Sequence, residues 1–327
     1  MSVRAASLLA HGQPPAVQER PAPQTGEGRL LVEVHAAPIT PLDVLCASGT
    51  SYFGAPALPY VPGVQGVGVV APGQTLPAGT PVWFATSAGM APGDGSMAAL
   101  VAAREQDVVA LEHEVPAPQV AALGLSALAA WSGLTWRGEL RAGEQVVVLG
   151  AGGVVGQAAV QIARLEGARR VVAGCRSDAA TERALRAGAD DVVRLDTDDV
   201  DELSSRFTAA CDGPADLVLD PLFGVPAAAA LRALGPGGRL VNLGSSAGAT
   251  AAIDSATLRS RSLRVLGYTN NELTAEQRRH ALTQVLRHAA DGALAVDHEV
   301  VGLDRVAEAW TRQQDGRASA RLVIDLT

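Results

Sequence analysis

Residues 150–156 gather four glycines, Gly150, Gly152, Gly153 and Gly156, around Val154 and Val155. Glycine-rich turns are common, so the neighbours decide what this one does. Residues 144–149 form a short apolar, β-branched stretch that reads as a buried parallel strand. Residues 157–166 carry small and branched apolar side chains at helical spacing, Gly167 supplies a stop, and residues 169–174 give a second strand. A glycine turn between strand and helix lets backbone N–H groups approach a pyrophosphate, which the positive end of the helix then favours. Within a complete strand-turn-helix-strand unit, the chemistry indicated is dinucleotide binding.

The residues after the second strand select the cofactor. NAD-binding units place an acid about 20 residues beyond the glycines, where it accepts from the ribose hydroxyls. Here Gly174, Cys175, Arg176 and Ser177 fill that stretch, with no carboxylate at the strand end. Arg176 can pair with a 2′-phosphate and Ser177 can add a hydroxyl donor, which points to NADPH. Asp178 is the nearest acid, and with Ser177 it reads as the cap of a helix over 179–186.

Other reactive side chains are scattered. The histidines are His11, His35, His113, His280, His288 and His298; His280 and His288 share a predicted helix, but their spacing sets them roughly 12 Å apart along its axis, too far to hold one metal ion. Cys46, Cys175 and Cys211 offer neither a disulfide framework nor a paired-cysteine zinc motif, which favours a reducing cytoplasm. No Ser/His/Asp or Cys/His arrangement stands out. A chain with no evident acid or metal suits a reaction in which the cofactor does the hard step. Hydride passes from a nicotinamide to an electron-poor acceptor, a quinone or an α,β-unsaturated ketone, and water or a nearby hydroxyl supplies the proton. Simple alcohol oxidation fits less well, because the alkoxide needs a Lewis acid or base.

Composition sets the outer bounds. The 327 residues suffice for two domains with substantial cores, and at 48% hydrophobic but 3% aromatic those cores must be built of alanine, valine and leucine. A net charge of −8, without a Lys/Arg cluster interleaved with aromatics, argues against nucleic acid as a partner. No apolar run approaches the length of a membrane span. The first ten residues soon meet Pro14 and Pro15 and read as a strand rather than a signal peptide.

These elements are positioned by two regions of different texture. Residues 1–120 are β-rich, with short strands at 30–35, 66–70 and 81–84 among proline and glycine turns, the pattern of a small barrel or irregular sandwich. Helical spacing follows over 119–124 and 125–136. Then strands at 191–195, 216–220 and 239–244 alternate with helices, one of them opened by Pro226, with a turn at 235–238; this alternation means a parallel sheet covered on both faces. The tail reads as a helix over 275–291, a strand over 298–301, a helix over 303–314 and a last strand over 321–324.

The order of lobes resembles the medium-chain dehydrogenase/reductase superfamily from end to end, and most closely its zinc-independent, quinone oxidoreductase-like branch. Residues 38–43 with Ser48 and Gly49, 59–70, 95–101, 140–144 running into the glycine turn, and 234–244 carry the resemblance. It implies an α/β fold: a Rossmann-type doubly wound parallel sheet over 121–269, plus a β-rich GroES-like catalytic domain from 1–120 and 270–327. Zinc-dependent members carry Cys where this chain has Thr40, and Gly-His-Glu where it has Gly63, Val64 and Gln65, so the resemblance implies no metal. The branch itself usually has Asn in place of Thr40 and an acid in place of Gln65. The Lys and Tyr that some relatives turn towards the 2′-phosphate are matched by Ala180 and Leu195, which leaves that task largely to Arg176.

By the same resemblance the acceptor lies between the lobes. Thr40, Asp43, Tyr52 and Gln65 line one side of it, and Asn242, Gly244 and Ser245 flank the nicotinamide. Tyr52 is the one phenol of the first group and a candidate hydrogen-bond donor. Three functions remain open: an NADPH-dependent reductase of quinones or activated alkenes, an enoyl reductase dedicated to one biosynthetic intermediate such as a polyketide, or a nucleotide-binding protein with little catalysis. Residues 262–267 read as the edge of the sheet, and the branch commonly pairs such edges into a homodimer.

Overall fold

Period-two alternation builds the first part of the chain. The computed structural model describes residues 2–327, in which β1 (Ser2–Ser7) and β2 (Ala16–Pro21) form an antiparallel ribbon with Ser7 opposite Ala16. In β3 (Arg29–Pro38) Leu30, Val32 and Val34 are buried while Leu31, Glu33 and His35 face outward. After a short helix, α1 (Pro41–Ala47), come β4 (Gln65–Val70), β5 (Pro81–Ala85), β6 (Leu100–Arg104) and β7 (Val108–Ala110). The sheet runs β3, β4, β5, β7, with β6 also paired to β3.

α2 (Ala117–Ser132) is broken at Gly124, whose φ of +21 is non-helical, and ends in a π-helical turn at Gly133–Arg137. The stretch Ala117–Arg137 is long and apolar enough to cross a membrane, contrary to the expectation that no such run exists, but 78% of its apolar window is buried within the protein. That is the composition of a core helix.

Six parallel strands then alternate with helices: β8 (Gln145–Leu149), α3 (Val154–Leu165), β9 (Arg170–Cys175), α4 (Asp178–Arg186), β10 (Asp191–Arg194), α5 (Val200–Ala210), β11 (Ala215–Asp220), α6 (Gly224–Arg232), β12 (Leu234–Asn242), α7 (Ser255–Ser260) and β13 (Arg264–Gly267). Their order is β10-β9-β8-β11-β12-β13, with β13 at the edge; this is the doubly wound arrangement whose strand order reverses beside β8. The turn expected at 235–238 lies inside β12 instead. Ala215 pairs with Leu234 and Leu217 with Arg239, so the intervening residues of β12 bulge from the ladder.

α8 (Ala275–Ala290) follows. The chain then adds β14 (His298–Gly302), α9 (Val306–Gln314) and β15 (Arg321–Asp325), which pairs antiparallel with β3. Two compact units result, Leu125–Leu294 and the remainder, Met1–Gly124 with Ala295–Thr327. The return to the first unit falls at 295 rather than at the expected 270, because α8 stays with the second unit: Leu282, Val285 and Leu286 are buried, and His288 lies 5.9 Å from the Trp131 ring. Small aliphatics fill the second unit's core around Phe207, while Phe84 and Trp310 anchor the first.

Candidate active site

The glycine turn lies between β8 and α3, at the carboxyl end of the parallel sheet, where open α/β sheets bind ligands. Its glycines answer to different constraints. Gly150 has φ +63, a left-handed backbone that disfavours side chains. A Cβ on Gly152 would collide with the Cβ of Ala180, and one on Gly156 would collide with Ala151 Cα, so both are required by packing. Gly153 has no such reason. It is exposed with φ −80, and a Cβ there would meet only the Gly150 carbonyl, at an ordinary 3.4 Å. Nothing within the chain requires glycine at 153, and the exposed backbone there leaves room for a ligand to approach.

Gly153 also caps α3 without a side-chain bond. The first-turn N–H groups of Val154 and Val155 therefore lack intrahelical acceptors and present a partial positive charge. Gln157 Nε2 and Arg183 Nε donate to the Gly152 carbonyl at 3.0 and 2.9 Å and hold the turn in place. Arg183 acts from α4, 31 residues on, and no local sequence signal marks it.

At the end of β9, Cys175 is buried and its thiol pKa is pushed up by burial, so only its backbone can face a nucleotide. Arg176 is exposed and has no hydrogen-bond or ion-pair partner among the described residues. The basic groups around it are engaged, Arg183 with the Gly152 carbonyl and Arg194 with Asp178. Ser177 Oγ accepts from Ala180 N at 3.2 Å as the cap of α4, leaving its own proton to donate. Asp178 opens α4 and is neutralised by Arg194.

The ends of β11 and β12 add further polar groups to the second unit. Asn242 Nδ2 donates to Asp220 Oδ2 at 2.9 Å and to the Gly244 carbonyl at 2.7 Å, and Ser245 is exposed beside them. Asp220 is fully buried, and its one signal in the sequence is an acid closing an apolar strand.

In the first unit Thr40 caps α1 and forms a capping box with Asp43. Asp43 Oδ1 accepts from Gly63 N (3.1 Å) and Val64 N (2.9 Å), which ties α1 to the approach to β4. Burial pushes the Asp43 carboxyl above its ordinary range, against the opposing pull of Thr40, Val64 and buried Arg321. Gln65 is fully enclosed: its Oε1 accepts from Trp83 Nε1 at 2.8 Å and its Nε2 donates to the Ala121 carbonyl at 3.4 Å. Tyr52 stands apart from this cluster, 82% exposed and stacked on Phe53 with ring centroids 4.1 Å apart. Phe53 lines a cleft of about 400 Å³ with Pro56, Tyr60 and Met90.

These residues do not fit a zinc ion. At the three positions in question stand a hydroxyl committed to Asp43, a buried valine and an amide bonded to Trp83, none of which replaces thiolate or imidazole. The glycine turn and Arg176, by contrast, fit a phosphorylated nucleotide.

Two family models match the chain, the alcohol dehydrogenase GroES-like domain over residues 26–113 and the zinc-binding dehydrogenase domain over 154–291. A phenolphthiocerol/phthiocerol polyketide synthase from Mycobacterium tuberculosis is 33% identical over 224 residues, which make up 67% of this chain but 10% of that protein. Quinone oxidoreductase of Rattus norvegicus is 31% identical over 229 residues, 68% of this chain and 66% of that one. The solved quinone oxidoreductase of Thermus thermophilus, described also in complex with NADPH, matches with a TM-score of 0.81 at 27% identity over 98% of this chain and 99% of its own. Fold and turn together define a medium-chain dehydrogenase/reductase, a Rossmann domain joined to a GroES-like domain. The chain belongs to the quinone oxidoreductase-like branch of that superfamily, and it spans about a tenth of the polyketide synthase and 66% of the quinone oxidoreductase that it matches.

Proposed function

We propose that the protein is a zinc-independent, NADPH-dependent reductase that delivers hydride to a quinone or an α,β-unsaturated carbonyl compound. The observation that carries this reading is the pairing of an exposed Gly153, for which the chain has no internal need, with an unpartnered Arg176 at the end of the next strand. Gly153, Val154 and Val155 receive the pyrophosphate, Arg176 and Ser177 the 2′-phosphate, and Asn242, Gly244 and Ser245 border the nicotinamide. The cofactor, when bound, supplies the hydride; the chain binds, orients and excludes water. Of the three candidate acceptor-side residues, Gln65 and Thr40 are buried and committed within the fold, which leaves exposed Tyr52, or water, to deliver the proton.

Similarity to a polyketide synthase favours a second reading, an enoyl reductase acting on one elaborate intermediate. Steady-state NADPH oxidation with a panel of quinones and enones separates the two. Turnover of simple quinones supports the first, activity confined to extended enones supports the second, and tight NADPH binding without any turnover would overturn both. Activity should also persist after exhaustive chelation.

A further inference from the structure

Asp220 is a buried carboxylate with no cationic partner among the described residues. Burial raises its pKa above the ordinary value, and three N–H donors work against that rise: Leu222 N and Phe223 N on Oδ1, at 2.9 and 2.8 Å, and Asn242 Nδ2 on Oδ2, at 2.9 Å. Without a counter-charge, ordinary packing would place an apolar residue here more cheaply. What the carboxylate holds is a tight turn. Phe223 sits at φ +57, ψ −158, a backbone region that is essentially glycine's own, while its ring packs on the second unit's core. The turn touches both halves of the proposed nucleotide site. Leu222 and Pro221 pack over Gly150, where a Cβ would come within 3.1 and 3.4 Å of them. On the other side Ala247 N donates to the Leu222 carbonyl at 2.8 Å, and the Pro221 carbonyl lies 2.6 Å from where a Gly244 Cβ would stand.

We propose that Asp220 is a positioning residue for the pyridine nucleotide: Oδ1 fixes the 221–223 turn against the phosphate-binding glycines, and Oδ2 fixes Asn242 at the nicotinamide end. The two oxygens thereby serve the two ends of one ligand. This rests on the nucleotide-binding reading above.

The division of labour gives the test. In Asp220→Asn the amide oxygen can still accept both backbone N–H groups, but its NH2 faces the Asn242 NH2, so the 2.9 Å side-chain bond is lost and Asn242 Nδ2 keeps only the Asp220 and Gly244 backbone carbonyls. Asp220→Ala loses both ties. Calorimetric titration should show Asp220→Asn binding NADPH about tenfold more weakly, the cost of one charge-assisted hydrogen bond. Binding of 2′,5′-ADP, which lacks the nicotinamide, should stay within about twofold of the unmodified protein. In Asp220→Ala both ligands should weaken. If that variant fails to fold, Asn242→Ala serves in its place: combined with Asp220→Asn it should weaken NADPH no further than Asn242→Ala alone, because Asp220 Oδ2 acts on the nucleotide through Asn242. Equal loss of both ligands in Asp220→Asn, unchanged NADPH affinity, or additive effects in the pair would overturn the proposal. Failure of the unmodified protein to bind any pyridine nucleotide would instead overturn the functional reading beneath it.

Discussion

The hydroxyl of Thr40 donates to Asp43 Oδ2 at 2.6 Å while the Asp43 N–H donates back to Thr40 Oγ1 at 3.2 Å. The one hydroxyl proton at this position is thus spent inside the fold. A general acid contributes about 10²–10⁴-fold to a rate, so a committed proton implies a smaller loss, within about tenfold in kcat for Thr40→Val. Stability should fall by about 1 kcal/mol as the cap is lost, and Thr40→Ser should restore it. Denaturant titration beside kcat distinguishes the two effects; a hundredfold loss of kcat with unchanged stability would make Thr40 the acid after all.

Arg176 governs cofactor choice. Arg176→Ala should weaken NADPH by about 1.5–3 kcal/mol, the value of a charge-assisted phosphate contact, and leave NADH nearly unchanged. Because Arg176 has no partner among the described residues, its removal should not move the melting temperature. Equal losses for both cofactors in a binding titration would show that the arginine does not meet the 2′-phosphate.

The glycines at 152 and 153 should part company. Gly152→Ala puts a Cβ into Ala180 and should destabilise the second unit, whereas a Cβ at 153 meets only the Gly150 carbonyl at 3.4 Å, so Gly153→Val should cost far less stability while losing nucleotide affinity. Thermal unfolding and NADPH calorimetry on both variants check this. Normal NADPH binding by Gly153→Val would place the phosphates elsewhere.

What the sequence made legible were the local signals. The strand-turn-helix-strand unit around 150–156, with Arg176 just past its second strand, follows from residues within about one βαβ unit of each other, and that element order survives in the structure. Gln65 shows the limit. Its amide answers to Trp83 and Ala121, the latter 56 residues away, and no periodicity announces such pairings. The same holds for Asp220 with Asn242, joined across adjacent strands, and for Arg183 reaching back to Gly152. The boundary near 295 was hidden for a related reason: α8 declares its apolar face in sequence, but not which unit that face will meet.

Arg239 and Glu144 form a bidentate pair at the amino ends of the strands, 2.8 and 2.7 Å, and Arg239 also donates to the carbonyls of Gly138, Glu139 and Asp216. Burial pushes the Glu144 pKa up, but hydrogen bonds from Arg239 and Arg141 pull it further down, below its ordinary 4.5. A carboxylate with a depressed folded-state pKa contributes stability above its unfolded value and loses it as pH falls through the folded one. The stability gap between the unmodified protein and Glu144→Gln should therefore be full at neutral pH and close as pH drops below about 4.5. Arg239→Met, which strands the carboxylate, should cost about 3–5 kcal/mol. A gap between the unmodified protein and Glu144→Gln that is independent of pH would mean that the pair's charge is irrelevant to folding.

The edge strand β13 sets the last expectation. Among the described strands it pairs only with β12; on its outer side the Gly267 carbonyl accepts from Arg137 Nε at 2.8 Å, no other strand covers the row, and Val265 is 42% exposed. Such an edge is normally covered, and nothing in the second unit's own sheet covers this one. Antiparallel pairing of two β13 strands about a two-fold axis would continue one sheet through both copies and make the interface self-complementary. We therefore expect a homodimer. Val265→Glu should dissociate it by setting like charges against each other at the seam, and Val265→Pro should do so by removing a backbone donor. Multi-angle light scattering at micromolar concentrations reads the outcome directly: a monomer mass for the unmodified protein sinks the dimer, and a dimer that persists unchanged in both variants moves the interface away from β13.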